Sequence, residues 1–167
     1  ITVAPLVHAW GFGKGKQPTA PIDEVAKRRE IDSLLSFTGY DKITLRDHRL
    51  IKQDPRTQLD ASAIAKGYGC DVVADLLREQ GCENFLVDIG GEVVAKGKND
   101  KRQPWRIGID KPTDDPTGMQ QELQDVITTD SIAMATSGNY RQFYYEGGTR
   151  RSHTIDPHTG YPIQHRL

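Results

Sequence analysis

LDASAIAKGYGCD, residues 59–71, is the stretch around which the rest of the chain is organised. An acid near its start is followed by small and hydroxyl residues, and then by a helix-forming run that carries Lys66. Small side chains allow a ligand to approach the backbone, and the first turn of a helix presents free N–H groups that suit phosphate. The same residues also fit an ordinary helix start, with Asp60 or Ser62 as the N-cap and Lys66 in solvent. The local chemistry leaves both interpretations open.

This stretch opens a helix that we predict over residues 63–80, with Gly81 just after its end. The apolar residues of this helix form one stripe at helical spacing: Ile64, Ala65, Tyr68, Val72, Val73, Leu76 and Leu77. An earlier helix is predicted over residues 22–37, and its charged run at 27–30 indicates a solvated face. The chain therefore carries two substantial helices.

Short β-rich segments surround the two helices. The predicted strands cover residues 42–45, 50–53, 85–89, 93–97, 105–110, 125–129, 132–136, 142–145 and 150–155. The pair Gly147-Gly148 is a strong hairpin signal, residues 1–7 form a strand or a helix end, and Asp114 and Asp115 lie in a polar loop as solvated acids. The pattern predicts an α+β fold, with a largely antiparallel sheet and packed helices in one domain over residues 1–167.

The composition is that of a globular protein and excludes several classes of partner. Of the 167 residues, 36% are hydrophobic and 27% are charged, which is not the composition of a disordered chain. A net charge of -1 gives no general attraction to nucleic acid or to an acidic membrane surface. Both ends read as interior sequence, so we expect a fragment of a longer chain, truncated at both ends. Cys70 and Cys82 are expected as small apolar fillers rather than as a disulfide.

Two further segments carry candidate functional groups. In Trp10-Gly11-Phe12 the glycine permits a turn that places both rings on one wall of a pocket, or the rings are core anchors beside that turn. His153 lies where a strand enters a tight loop, and Asp156 or Thr154 is expected to orient its ring. Histidine titrates near neutral pH and suits proton transfer, although a lone histidine is more often a surface or capping residue.

Six segments together resemble one family, in the same order along the chain. They are TVAPLVHAWGFG, LDASAIAKGYGCD, FLVDIGGEVVAKG, WRIGIDKP, ATSGNYRQF and SHTIDPHTGYPI. The chain resembles the ApbE-like flavin transferases, formerly described as thiamin-biosynthesis lipoproteins, whose fold is α+β with a T-fold-like architecture. The resemblance implies an enzyme that binds FAD with Mg²⁺, splits the pyrophosphate to release AMP, and attaches FMN through a phosphoester to a Thr or Ser of a target protein. Some members hydrolyse FAD to FMN and AMP.

The resemblance also implies roles for particular residues. The residues implied to contact FAD are Trp10, Gly11, Phe12, Asp60, Lys66 and Ile155. Ala63 is implied to give its backbone carbonyl to the metal, and His153 to act as the general base. The other metal ligands of the family lie in a later AD-x-x-ST type motif, which we expect beyond Leu167.

The expected partners are FAD and an acceptor flavoprotein, with no nucleic acid. By the same resemblance, the protein is expected on the periplasmic side of the inner membrane, held there by a lipid anchor outside these residues. Two alternatives stay open: an FAD-binding carrier without catalysis, and a Mg²⁺-dependent FAD pyrophosphatase that gives FMN and AMP.

Overall fold

A computed structural model describes residues 1–112, 122–138 and 142–164. The predicted acid pair Asp114 and Asp115 lies outside the described residues. The described helices are α1 (Ala4–Ala9), α2 (Glu24–Leu35), a short 3-10 helix (Tyr40–Lys42) and α3 (Ser62–Glu79). The described strands are β1 (Ile43–Arg46), β2 (Arg49–Lys52), β3 (Phe85–Ile89), β4 (Glu92–Lys96), β5 (Trp105–Asp110), β6 (Leu123–Thr129), β7 (Ser131–Met134), β8 (Phe143–Glu146) and β9 (Thr149–Ser152).

The chain divides into two compact units. The first comprises Ile1–Ala61 and Asn139–Leu167, and the second comprises Ser62–Gly138. Every strand pairing among the described residues is antiparallel, which confirms the predicted α+β class. The sheets are the hairpin β1–β2, the three-stranded sheet β3–β4–β7, the pair β5–β6 and the hairpin β8–β9.

In the first unit, α1 decides between the strand and the helix end predicted for residues 1–7 in favour of a helix. The segment is a helix from Ala4, with Pro5 in its first turn, where a missing N–H costs nothing. Helix α2 begins after Asp23, whose carboxylate accepts from the backbone N–H groups of Val25 and Ala26 at 2.9 and 3.1 Å. Pro5 and the Asp23 cap mark two helix starts that periodicity alone places only approximately.

The core of the first unit is formed by residues from the early and the late parts of the sequence. Its buried residues are Leu6, Trp10, Phe12, Ile31 and Ile155. The prediction that residues 27–30 form a solvated face is wrong for Lys27, because its side chain is only 13% exposed. Its ammonium group donates to the Ala9 carbonyl at 2.9 Å and to Glu30 at 2.8 Å, so the stem lies against α1.

In the second unit, α3 packs on β3 and β4 through small residues. The buried residues of this contact are Cys70, Ala74, Phe85, Val87 and Val94. The predicted apolar stripe is therefore wrong about which face is buried: Ile64, Tyr68, Val72, Val73 and Leu76 are 38–69% exposed. The helix instead uses a line of residues at i, i+4 and i+8 beginning at Lys66, because small side chains let the backbone approach the strands closely.

The turns follow the chemistry of their residues. Asp47 and His48, with φ of 49° and 59°, close the β1–β2 hairpin, and Gly147-Gly148, with φ of 54° and 78°, closes β8–β9. The second hairpin confirms the sequence prediction. Both cysteines are free thiols, as expected. Within the described residues, no helix has the length and apolarity that a membrane crossing requires.

Candidate active site

Trp10 is an interior anchor of the first unit. Its side chain is fully buried, and its Nε1–H donates to the Gly160 carbonyl at 2.7 Å. The Lys27 ammonium lies 5.3 Å and the Arg151 guanidinium 5.0 Å from the ring centroid, within the range of cation–π attraction. This burial fits the alternative in which the rings are core anchors. The contact of Trp10 with FAD stays a prediction.

The two residues after Trp10 form a tight turn. Gly11 has a φ of +80°, and a Cβ on it would lie 2.7 Å from Gln17 Cα, so both the conformation and the space demand glycine. Phe12 is 5% exposed and lies against two rings. Its centroid is 5.5 Å from that of Tyr144, and 6.3 Å from that of His153 at an interplanar angle of 69°. The turn therefore delivers an aromatic edge contact to the predicted base.

Tyr144 holds this turn through a hydrogen bond to the backbone. Its hydroxyl donates to the Trp10 carbonyl at 3.1 Å. Burial raises the pKa of Tyr144 above its usual value, and the nearby Glu146 carboxylate raises it further. The phenol is consequently a fixed hydrogen-bond donor near neutral pH.

His153 is oriented by a backbone carbonyl. The Gln142 oxygen accepts from the His153 backbone N–H at 3.1 Å and lies 3.3 Å from the ring Nδ1. A carbonyl can only accept, so this contact requires the proton on Nδ1 and leaves the Nε2 lone pair of the neutral ring available. In this tautomer Nε2 is the ring nitrogen that can accept a proton.

The predicted orienting role of Asp156 is wrong. Its Oδ1 accepts from the His158 backbone N–H at 2.9 Å, and its Oδ2 accepts from the Thr159 hydroxyl at 3.1 Å, so the carboxylate is used inside its own loop. These hydrogen bonds hold the pKa of Asp156 below its usual value. Sequence reasoning missed Gln142, although counting outward from the Gly147-Gly148 turn places residue 142 opposite residue 153.

The loop after His153 is pinned to the core. Ile155 is 9% exposed and pairs with Pro162 in an isolated bridge. Gly160 has a φ of +74°, and a Cβ on it would lie 2.4 Å from Ile31 Cγ2. The hydrogen bond from Trp10 to the Gly160 carbonyl and the close packing of Gly160 against Ile31 together hold the segment from His153 to Gly160 against the aromatic turn. The structure thus brings together Trp10, Phe12, His153 and Ile155.

The other predicted site residues, Asp60, Ala63 and Lys66, lie apart from this group in the sequence. Asp60, in the first unit, is half-buried, and its backbone N–H donates to the Ile1 carbonyl at 2.7 Å. Ala63 is exposed in the first turn of α3, in the second unit. Lys66 is 47% exposed, and its ammonium donates to the Gly90 carbonyl at 2.9 Å and pairs with Glu92 Oε1 at 2.8 Å.

A metal would find few side-chain ligands in the described residues. Within them, no group of three or more His, Cys, Asp or Glu side chains is arranged to hold an ion. Mg²⁺ prefers several hard oxygen ligands. The Ala63 carbonyl is one such oxygen, and a helical carbonyl keeps a second lone pair beside its intrahelical bond. The described side chains alone do not make a magnesium site.

The fold and this arrangement define an α+β protein in which a histidine faces an aromatic-glycine turn. A family model described as the ApbE family matches residues 1–167. The chain belongs to the ApbE family.

Similar proteins support this assignment. The chain is 45% identical over 167 residues to an FAD:protein FMN transferase of Vibrio cholerae and 44% identical over 172 residues to one of Haemophilus influenzae; it is covered completely in both. It spans 48% and 47% of those proteins, which is about half their length. The structure of the flavin transferase ApbE from Vibrio cholerae matches 99% of this chain and 50% of its own, with a TM-score of 0.79 at 42% identity. The apo form of the Pseudomonas stutzeri flavinyl transferase ApbE matches 98% of this chain and 48% of its own, with a TM-score of 0.77 at 36% identity.

Proposed function

We propose that this chain is part of an FAD:protein FMN transferase, which moves FMN from FAD to a Thr or Ser hydroxyl of an acceptor protein. The observation that carries the proposal is the match of the ApbE family over the whole chain, together with relatives of that name at 44–45% identity. The position of His153 supports it, because transfer to a neutral hydroxyl needs a base.

The reaction is a displacement at phosphorus. The acceptor hydroxyl oxygen attacks the phosphorus on the flavin side of the pyrophosphate, and the bond from that phosphorus to the bridging oxygen breaks. AMP leaves with the bridging oxygen, and the hydroxyl proton passes to His153 Nε2. Gln142 and Phe12 serve this step by holding the imidazole ring, whose bond to the Gln142 carbonyl fixes the tautomer.

FAD is proposed to contact Trp10, Gly11, Phe12, Asp60, Lys66 and Ile155. The buried indole of Trp10 is suited to fixing the turn rather than to stacking on a ligand. We also propose a requirement for Mg²⁺, which would neutralise charge on the phosphates. The Ala63 carbonyl is the one ligand that we assign to it in this chain.

The proposed setting is the periplasmic side of the inner membrane, with a lipid anchor outside these residues and an acceptor flavoprotein as the partner. This setting follows from the family resemblance alone.

The test uses the full-length protein with FAD, Mg²⁺ and a candidate acceptor, followed by mass spectrometry of the acceptor and assay of AMP. We expect one FMN on a Thr or Ser of the acceptor and one AMP for each transfer. AMP release without any acceptor would identify a pyrophosphatase instead. FAD binding with neither product, across all plausible acceptors, would identify a carrier.

A further inference from the structure

Three side chains of the β8–β9 hairpin and its continuation contact the aromatic turn, and the proposed function assigns a role in proton transfer only to His153. Arg151 pairs with Tyr144 across the hairpin, and His153 lies two positions further along the chain. Because side chains alternate between the faces of a strand, Arg151, Tyr144 and His153 share one face. The Arg151 guanidinium lies 5.0 Å from the centroid of the Trp10 ring, beside the contacts that Tyr144 and His153 make with Phe12.

Arg151 is held by two carboxylates and has little contact with solvent. Its side chain is 12% exposed, and its Nε–H donates to Glu146 Oε2 at 3.0 Å. Its Nη2 group lies 3.0 Å from the same oxygen and donates to Glu24 Oε1 at 3.2 Å. Glu146 is 16% exposed, and its Oε1 accepts from the backbone N–H of Ile22 at 3.0 Å. The guanidinium therefore joins the hairpin to the beginning of α2.

The planar fork of the arginine side chain makes this connection directional. An ion pair in solvent contributes little, whereas a guanidinium that donates to two carboxylates and lies over an indole ring is fixed in both place and orientation. Arg151 thus sets where β9 lies against Trp10. Since an extended chain rises about 3.3 Å per residue, the same strand carries His153 about 7 Å further on.

Two contacts hold the ring of His153 itself. They are the edge contact with Phe12 and the contact between Nδ1 and the Gln142 carbonyl, whose length of 3.3 Å is at the long end for a hydrogen bond. A small shift of the strand would therefore release the tautomer that this carbonyl selects. A general base must lie within hydrogen-bond distance of its proton, and a misplacement of about 1 Å can slow a reaction by about 10²-fold.

We propose that Arg151 is a positioning residue for His153. Its ion pairs and its contact with Trp10 hold the strand, so that the ring keeps its bond to the Gln142 carbonyl and Nε2 stays available to the acceptor hydroxyl. Arg151 touches neither FAD nor the acceptor and acts through the strand. The inference rests on the proposed function, because it assumes that His153 takes a proton during FMN transfer.

The experiment compares the full-length parent protein with Arg151→Met, with Arg151→Met combined with Glu146→Gln, and with Arg56→Met. Methionine keeps an unbranched apolar stem and removes the guanidinium. The second replacement removes the carboxylate charge that the first leaves unpaired, so the double variant separates loss of stability from loss of position. Arg56 is the matched control: it also combines an ion pair, 2.7 Å from Asp54, with a ring contact, 4.6 Å from Phe37, but it lies in the loop after β2.

Three properties are measured for each protein. Chemical denaturation gives the stability, and single-turnover FMN transfer with FAD titration gives the rate and the affinity. Nitrogen NMR of histidine-labelled protein gives the tautomer of the neutral His153 ring, and a His153→Gln variant assigns its signals. The tautomer is the readout that a merely structural role of Arg151 would leave unchanged.

We expect Arg151→Met to lower the denaturation midpoint, because Glu146 loses its cation while it is mostly buried. FMN transfer should slow about tenfold to hundredfold, while FAD affinity stays within about twofold. The nitrogen signals of His153 should move from the Nδ1–H pattern towards the average of the two tautomers. The double variant should regain much of the stability but keep the slow transfer and the mixed tautomer. Arg56→Met should match the parent in transfer rate and in tautomer.

Three results would overturn the inference. The first is a double variant whose transfer rate recovers together with its stability, since Arg151 would then be structural only. The second is an Arg151→Met variant that transfers FMN at the parent rate. The third is a slow Arg151→Met variant whose His153 ring keeps the parent tautomer. If the parent protein transfers no FMN, the proposed function fails instead, and the tautomer measurement still tests whether Arg151 positions the ring.

Discussion

Replacing Gly160 with alanine tests how the loop after His153 is held against the first unit. Two costs follow from the geometry. A φ of +74° strains any residue with a Cβ by about 1–2 kcal/mol. The new methyl group would also lie 2.4 Å from Ile31 Cγ2, and overpacking of a core typically costs about 1–3 kcal/mol. The expected loss of stability is therefore about 2–5 kcal/mol.

The hairpin β8–β9 provides a matched control. Gly148 has a φ of +78°, nearly that of Gly160, but a Cβ there meets nothing within 4 Å. Gly148→Ala should therefore show the backbone cost alone. The difference between the two variants isolates the steric cost of the contact with Ile31.

Native-state hydrogen exchange on the full-length protein is the appropriate assay, because protection of the α1 and α2 amides reports on the stability of the first unit alone. Protection should fall much more in Gly160→Ala than in Gly148→Ala. Adding Ile31→Ala to Gly160→Ala should cost less than the sum of the single changes, because it removes the overlapping methyl group. Equal loss of protection in the two glycine variants would refute the steric reasoning.

Three further predictions concern single side chains. His153→Ala should slow FMN transfer roughly 10²–10⁴-fold while FAD affinity changes little, in single-turnover and binding assays; equal losses would mean that the ring holds the ligand. Trp10→Phe should cost about 1–3 kcal/mol in chemical denaturation, because the buried Gly160 carbonyl loses its donor; an unchanged midpoint would contradict this. Hydrogen bonds from Arg56 lower the pKa of Asp54 to about 2, so its stabilising contribution is complete above about pH 5 and is lost as the pH falls through about 2; the stability difference between the parent and Asp54→Asn should shrink steadily over that window, and a constant difference would refute the assignment.

Local signals predicted much of the fold. The helix predicted over residues 63–80 is observed at Ser62–Glu79, and the strand predicted at 105–110 is observed at Trp105–Asp110. Gly81 has a φ of +80°, as a residue that ends a helix often does. These predictions succeeded for the same reason. Glycines that end helices, turn pairs and the alternation of apolar and polar residues in strands are all signals that depend on residues close together in the sequence.

The burial of α3 was not predictable in this way. The large apolar residues made the stronger stripe, but the strands pack on the line that contains Cys70 and Ala74. These two residues are small and each buries little area, and periodicity cannot tell which face finds a partner. Close approach of helix and strands decides the outcome, and this is a tertiary property.

In the candidate site, too, local features could be predicted from the sequence and long-range contacts could not. The position of His153 beside a tight loop could be predicted from turn residues. Its contacts with Phe12 and with the Gln142 carbonyl are long-range, and a carbonyl that any residue can supply leaves no trace in the identity of residue 142. Likewise, the spacing of residues 59–71 suggested a lysine near a helix start, but the carboxylate that pairs with it lies 26 positions later, at Glu92.

The bond between Trp10 and Gly160 spans 150 positions, and this separation sets an order of events during synthesis. Residues 62–138 form a contiguous stretch, so the second unit can mature while the ribosome is still adding the remainder. The first unit must wait for its last strands, and until they emerge the nascent chain carries Leu6 and Ile31 without their final packing. We expect this half-finished intermediate to be the species that chaperones engage.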